Sequence, residues 1–277
     1  MLGLISFAKD RSEERRLISE MSLALIKLGG GLIAPKDWPA HTADVKTIRR
    51  LGEEIKEFAG SLIIGHGGGN FPHTEATKYK TYEGFRDEKG KLRACLTQVA
   101  ARDINSIVMR EFLSLGLPVA SVAPHDIGVA SNGKVTKEFY EPIKLLLKKR
   151  MIPVVYGDVI WDIKRGCTIF STEVWLSLLA RHFKSVKRII QVTAEKGVLG
   201  SEGKIIKVIN SRNFTQLKSA IGKAAGVDVT GGMLDKVEES LKLAKDMGIE
   251  TLIISGKVAG RLAAALRGEK VDGTRIG

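Results

Sequence analysis

The sequence predicts an α/β fold, a mostly parallel sheet covered by helices on both faces. Three observations carry that prediction. Short apolar runs rich in β-branched residues recur along the chain, longer amphipathic segments stand between them, and glycine clusters close the first two runs. An unbroken apolar run suits a strand buried on both faces, and strand–helix alternation implies right-handed crossovers between parallel strands.

Taken in order, Leu23–Leu28, Ser61–Ile64, Val119–Val122, Ile152–Tyr156, Arg188–Val192 and Thr251–Ile254 read as strands. Between and after them Asp44–Phe58, Arg93–Leu115, Glu138–Lys149, Thr172–His182, Leu234–Met247 and Val258–Leu266 read as helices. Two hairpins interrupt the pattern. One turns at Asn132-Gly133 within Val129–Val135, and the other at Gly200–Gly203 before Lys204–Val208. There is no Pro/Ser-rich linker and no repeat. We expect an N-terminal extension over residues 1–20, an N-terminal half over 21–180 and a C-terminal half over 181–277, the two halves sharing one sheet.

At 277 residues, 44% hydrophobic and 27% charged, the chain can bury a sizeable core as a soluble globular protein. Cys95 and Cys167 belong to no CxxC or Cys/His cluster, so both read as buried free thiols in a reducing compartment, and no protein metal centre is expected. No run approaches the ~18 apolar residues of a membrane span. The apolar Met1–Ala8 precedes the charged Lys9–Arg16, the reverse of a secretory signal, which predicts a cytoplasmic protein without a membrane partner. The net charge of +13 is spread along the chain, and only 6% of residues are aromatic. That disfavours nucleic acid, which asks for basic residues interleaved with stacking aromatics. It fits a solvated basic surface and a phosphate-rich ligand.

Glycine placement is the most informative feature. Gly29-Gly30-Gly31 follows the first predicted strand, Gly67-Gly68-Gly69 follows the second after Gly65-His66, and Gly231-Gly232 precedes the helix at Leu234. Ligands of a parallel sheet bind at the carboxyl ends of its strands, where glycine lets backbone amides approach an anion and helix N-termini add positive charge. Each triplet has a cation or imidazole beside it: Lys27 before the first, His66 and His73 around the second. Phosphoryl transfer needs such positioned charge, although tight turns alone would also use glycine. A lysine within an apolar strand, as at Lys27, is costly unless paired. No GxGxxG is present. Gly128–Val135 mimics a P-loop but has Val135 where Ser or Thr would ligate magnesium, so it reads as a hairpin. His66 reads as support for the glycine turn, and nothing nearby in sequence raises His41, His125 or His182 above ordinary surface or core residues.

These residues resemble a known family. Ile26-Lys27-Leu28-Gly29-Gly30-Gly31, with Lys36 after it, is similar to the opening of the amino-acid kinases. Gly65-His66-Gly67-Gly68-Gly69-Asn70-Phe71-Pro72-His73 resembles the G-H-G-G-G-S-F-G-H segment of their isopentenyl phosphate kinase branch. Gly157-Asp158-Val159, Asp228–Met233, Gly260-Arg261-Leu262 and Gly273–Ile276 match in the family's order across Leu23–Gly277. The resemblance implies a three-layer αβα sandwich and a homodimer. It implies transfer of the γ-phosphate of ATP, with Mg2+, onto isopentenyl phosphate to give isopentenyl diphosphate. It puts Lys27, Gly29, Gly30, Gly31, Gly68, Gly231, Gly232 and Lys236 at the ATP phosphates, with Lys27, Lys36, His73 and Lys236 as the catalytic set. Gly67, His73, Gly157 and Glu173 then stand at the acceptor side, and His73 orients the acceptor phosphate. No protein metal ligand is implied.

Three departures from the family pattern bear on the details of the chemistry. Ser171-Thr172-Glu173 stands for Ser-Gly-Asp, whose aspartate organises the lysines through ion pairs. Pro72 replaces a glycine beside His73 and removes an amide. Gln191–Leu199 lacks the D-x-D-G pair near the nucleotide. The resemblance puts the acceptor tail against the long helix and the region after His73; Thr97, Ala101 and Asn105 recur at helical spacing there, a pattern that fits either lining of that cavity or ordinary packing. Two other readings fit the same elements: a kinase of a different phosphate or phosphonate such as fosfomycin, and a catalytically silent nucleotide- or nucleic-acid-binding protein.

Overall fold

The computed structural model describes residues 23–85, 87–200, 203–224 and 232–277. The expected extension over 1–20 and the glycine at Gly231, with the Asp228–Gly231 match, lie outside the described residues.

Ten helices and twelve strands follow one another along these residues. In chain order they are β1 Leu23–Leu28, α1 Gly30–Ile33, α2 Val45–Lys56, β2 Ser61–His66, α3 Pro72–Tyr79, α4 Glu88–Ser114, β3 Val119–Ser121 and α5 Pro124–Ile127. Then come β4 Gly128–Ser131, β5 Lys134–Glu138, α6 Glu141–Lys148, β6 Ile152–Tyr156, β7 Asp158–Asp162, β8 Gly166–Phe170 and α7 Thr172–His182. The last stretch holds β9 Val186–Thr193, β10 Val208–Ile209, α8 Phe214–Ala224, α9 Met233–Met247, β11 Glu250–Ser255, α10 Arg261–Leu266 and β12 Gly273–Ile276.

The main sheet has eight strands in the order β10-β12-β11-β9-β1-β2-β6-β3. β11, β9, β1, β2, β6 and β3 run parallel, while β12 pairs antiparallel with β11. Strands from before and after residue 180 therefore stand side by side. Side chains alternate faces along a strand, and β1 shows the consequence. Ile26 and Leu28 join a core shared with α2, α4 and α10, whereas Leu23 and Leu25 join a second core with Trp175, Leu176 and Leu179 of α7. This is the three-layer αβα arrangement the sequence predicts. A second sheet, β5-β4-β7-β8, packs through Val159 and Cys167 against Ala94 of α4.

All six expected strands form, and α7 has the expected bounds. The long helix begins at Glu88, earlier than expected, because Asp87 caps it by accepting from the Gly90 amide at 2.7 Å. The Asn132-Gly133 hairpin forms, with Asn132 and Gly133 both at positive φ (52° and 78°) as a two-residue turn requires. At the second expected hairpin only a bridge between Leu199 and Ile205 and the strand Val208–Ile209 are present among the described residues. Cys167 is buried, but Cys95 is exposed, contrary to expectation, on the outer side of α4.

Candidate active site

Lys27 shares a face of β1 with Leu23 and Leu25, so its stem runs beneath α7 and it is 5% exposed. Its ammonium donates a hydrogen bond to Glu173 Oε1 in the first turn of α7. From α9, Lys236 brings its Nζ to 3.7 Å from the same oxygen. One carboxylate thus holds two cations that come from opposite halves of the chain. Glu173 is placed by a local cap, Ser171 Oγ accepting from the Val174 amide at 3.4 Å, and the positive end of α7 favours its charge. Burial alone would raise the Glu173 carboxyl, but the Lys27 and Lys236 charges and the Lys27 hydrogen bond outweigh it and hold it below the usual range.

The two glycine turns interlock backbone to backbone. A Cβ on Gly30 would meet the Gly69 nitrogen at 2.4 Å, and one on Gly67 would meet the Gly30 nitrogen at 2.6 Å. Gly69 has φ +54° and no room beside the Ala34 carbonyl. The amides divide into two sets. Gly29 donates to the Val192 carbonyl and Gly67 to the Leu28 carbonyl, each at 2.8 Å. These two amides are committed to the fold, which corrects the expectation that the Gly29 amide holds the ATP phosphates. The Gly30, Gly31 and Gly68 amides have no acceptor among the described residues and remain the donors such a ligand would use. Gly232 is the N-cap of α9, in extended conformation with open space around its Cα.

Pro72 occupies the first turn of α3, where a missing N–H costs no helical bond. It packs so tightly on the second turn that a Cβ on Gly68 would lie 2.1 Å from its Cγ. His73 follows it in the same first turn, half-buried. Lys36 lies on an exposed loop after α1. Gly157 is the single residue between β6 and β7, where the chain passes from one sheet to the other, and its amide donates to the His66 carbonyl at 3.2 Å. The same carbonyl accepts from Thr172 Oγ1 at 2.6 Å. The threonine that replaces the family's glycine therefore ties the start of α7 to the second glycine turn.

His66 is buried, stacked 5.6 Å from the Tyr156 ring, with Nε2 3.1 Å from Asn105 Oδ1 and Nδ1 3.2 Å from the Gly67 carbonyl. Burial lowers its pKa against the raising effect of the Asn105 and Gly67 hydrogen bonds, and the buried ring supports the turn. Asn105 also donates to Ser121 Oγ at 2.8 Å, Thr97 meets Thr81 Oγ1 at 2.9 Å, and Ala101 is buried. These three residues take packing positions of α4.

Three functional candidates escape a reading of the sequence. His125 Nδ1 sits 2.6 Å from Asp158 Oδ2, and Asp158 is 2% exposed. Gln191 is in register with Lys27 on the neighbouring strand, and its buried Oε1 has no partner among the described residues. Asn70, buried behind the second glycine turn, bonds the loop that carries Lys36. The Gly157-Asp158 motif was a signal for the first, though nothing local pointed to its histidine. A cavity of about 420 Å³ runs between α7 and α9, lined by Lys27, Glu173, Gln191, Lys236, Arg181 and Ser240 among others. Among the described residues no group of three or more His, Cys, Asp or Glu side chains could hold a metal ion.

Comparison with known proteins agrees with this geometry. The family model for the amino acid kinase family matches residues 22–255. The isopentenyl phosphate kinase of Methanothermobacter thermautotrophicus is 34% identical over 273 residues, 92% of this chain and 98% of its own. That of Methanocaldococcus jannaschii is 30% identical over 268 residues, again 92% and 98%. An X-ray structure of isopentenyl phosphate kinase superposes with a TM-score of 0.78 at 29% identity, covering 92% of this chain and 100% of the other. Since the match runs through both interlocked glycine turns, Lys27, Glu173 and Lys236, the chain belongs to the amino acid kinase family.

Proposed function

We propose that this chain is an isopentenyl phosphate kinase, transferring the γ-phosphate of ATP to isopentenyl phosphate and releasing ADP and isopentenyl diphosphate. The observation that carries the reading is the Glu173 carboxylate shared by Lys27 and Lys236 beside the interlocked glycine turns. Relatives bearing that name span nearly the whole chain.

In this reading the Gly30, Gly31 and Gly68 amides and the Gly232 cap line the polyphosphate, and Lys27 and Lys236 neutralise it. Glu173 holds and aims both ammonium groups. A phosphate oxygen of the acceptor attacks the γ-phosphorus, the bond to the β–γ bridging oxygen breaks, and ADP leaves. The acceptor phosphate is ionised near neutral pH, so no general base is needed, and charge neutralisation and alignment do most of the work. His73 orients the acceptor phosphate, Lys36 neutralises the moving group, and Gly157 stands at the acceptor side. Magnesium suits a site of this composition because it is held chiefly by phosphate oxygens and water, and there it supplies further charge neutralisation. The half over residues 21–180 then holds the acceptor and that over 181–277 the nucleotide.

The same reading makes the protein a cytoplasmic homodimer with no nucleic-acid or membrane partner. Leu92, Leu96 and Val99 form an exposed apolar stripe along α4 at 64%, 41% and 50% exposure, the composition of a surface to be covered by a second copy. Among the described residues no helix is long and apolar enough to cross a membrane. The deciding experiment measures ADP release with ATP and magnesium against isopentenyl phosphate, dimethylallyl phosphate and fosfomycin. Turnover fastest with isopentenyl phosphate is expected, and turnover of fosfomycin alone would overturn the acceptor.

A further inference from the structure

We propose that Asn70 is a positioning residue, a latch that ties the loop carrying Lys36 to the helix carrying His73. The inference rests on the kinase reading for its catalytic consequence, and on geometry for the latch itself. Asn70 is 3% exposed and lies between the second glycine turn and α3. Its Nδ2 donates to the Pro35 carbonyl at 2.7 Å and to the Thr42 carbonyl at 2.9 Å, and its Oδ1 accepts from the Thr42 amide at 3.1 Å. Its own backbone amide donates to the Ala34 carbonyl at 3.1 Å. Both ends of the 35–42 loop are therefore closed on one side chain, and the Pro35 carbonyl belongs to the peptide bond that enters Lys36.

Residues 36–41 are all exposed, with Trp38 the large apolar side chain among them at 41% exposure. A further tether is His41, held at φ 59°, with its ring edge-on to Phe71 at 5.3 Å and its Nε2 3.5 Å from Glu75 Oε1. Phe71 and Glu75 flank His73, so both tethers end on the segment that places the imidazole. Only a carboxamide can make the Asn70 set, because it needs two N–H donors and an acceptor on one short side chain. A serine has one donor and an aspartate has none. A shift of about 1 Å in a positioned charge costs up to about 10²-fold in rate, so the latch sets where the Lys36 ammonium stands relative to His73.

The test is a double-mutant cycle of N70A and K36A in the full-length protein with ATP, magnesium and isopentenyl phosphate, together with amide hydrogen exchange. We expect N70A to lower kcat about 10- to 100-fold with KM for ATP little changed, and to cost less than about twofold more in the K36A background, since its effect passes through Lys36. Exchange at the Thr42 amide should accelerate, while the Gly67 amide, bonded to Leu28, stays protected. N70S, which keeps one donor, carries the same test should N70A fail to fold. An equal loss in both backgrounds, an unchanged kcat, or unchanged exchange at Thr42 overturns the proposal. If the wild type turns over no acceptor, the kinase reading fails and the exchange measurement alone decides the latch.

Discussion

Replacing Glu173 by glutamine tests the centre of the site. The change keeps size and shape and removes the charge that two lysines share. At the 3.7 Å separation of Glu173 and Lys236, unit charges attract by roughly 4–5 kcal/mol at an effective dielectric of about 20. The closer Lys27 pair adds to this, and desolvation of the three groups takes back several kcal/mol. Breaking a buried pair and stranding its cation costs about 3–5 kcal/mol. With 23% of the Glu173 side chain still exposed, the lower end, about 3 kcal/mol, is expected. In a chain of this size that lowers Tm by about 6–12 °C.

The pH dependence gives the sign. The folded carboxyl lies below its unfolded value of about 4.3, so its contribution is full above that pH and disappears as pH falls through the folded value. The gap in Tm between wild type and E173Q should hold from pH 8 to pH 6 and close in stronger acid, read by calorimetry without ligand. A variant that melts with the wild type at pH 7, or a gap that persists in acid, would refute the argument.

Three further outcomes follow from the same structure. Gly30→Ala places a methyl 2.4 Å from the Gly69 nitrogen whereas Gly31→Ala meets no atom within 4 Å. By titration calorimetry G30A should lose ATP binding and G31A keep it, and equal behaviour of the two would contradict the interlock. Glu54 accepts from the Leu262 and Ala263 amides at 2.9 and 3.2 Å and pairs with Arg50 at 2.5 Å, so Glu54→Ala should cost about 2–3 kcal/mol in urea unfolding. A loss below about 0.5 kcal/mol would show that the α10 start needs no such cap. The Asp158 hydrogen bond raises the His125 pKa against the opposing effect of burial. Its stabilisation is full below the unfolded value of about 6.5 and is lost as pH rises through the folded value. His125→Gln should therefore destabilise more at pH 6 than at pH 9, and the opposite order would assign the pair wrongly.

What was legible in the sequence was local. The six parallel strands of the main sheet from β11 to β3 declare themselves because a strand buried on both faces must be apolar throughout, and α7 because its apolar face repeats at helical spacing. The hairpin β7–β8 did not, since it mixes the buried Val159 and Ile160 with the exposed Trp161 and Ile163. Nor did α3, whose residues Pro72–Tyr79 are polar with only Ala76 buried, so no apolar period marks it as a helix. His73 thus stands in a helical turn that no sequence period marks.

The sequence by itself determined the αβα class, the glycine turns at the ends of the first two strands and the buried Lys27, because each follows from composition and spacing within a few residues. Only the tertiary structure decided that Glu173 joins Lys27 and Lys236, that His125 pairs with Asp158, and that Gly29 and Gly67 donate to the fold while Gly30, Gly31 and Gly68 do not. Lys27 and Glu173 lie 146 residues apart. Their meeting depends on how the crossovers stack β1 under α7, a long-range packing outcome that no local pattern of residues encodes.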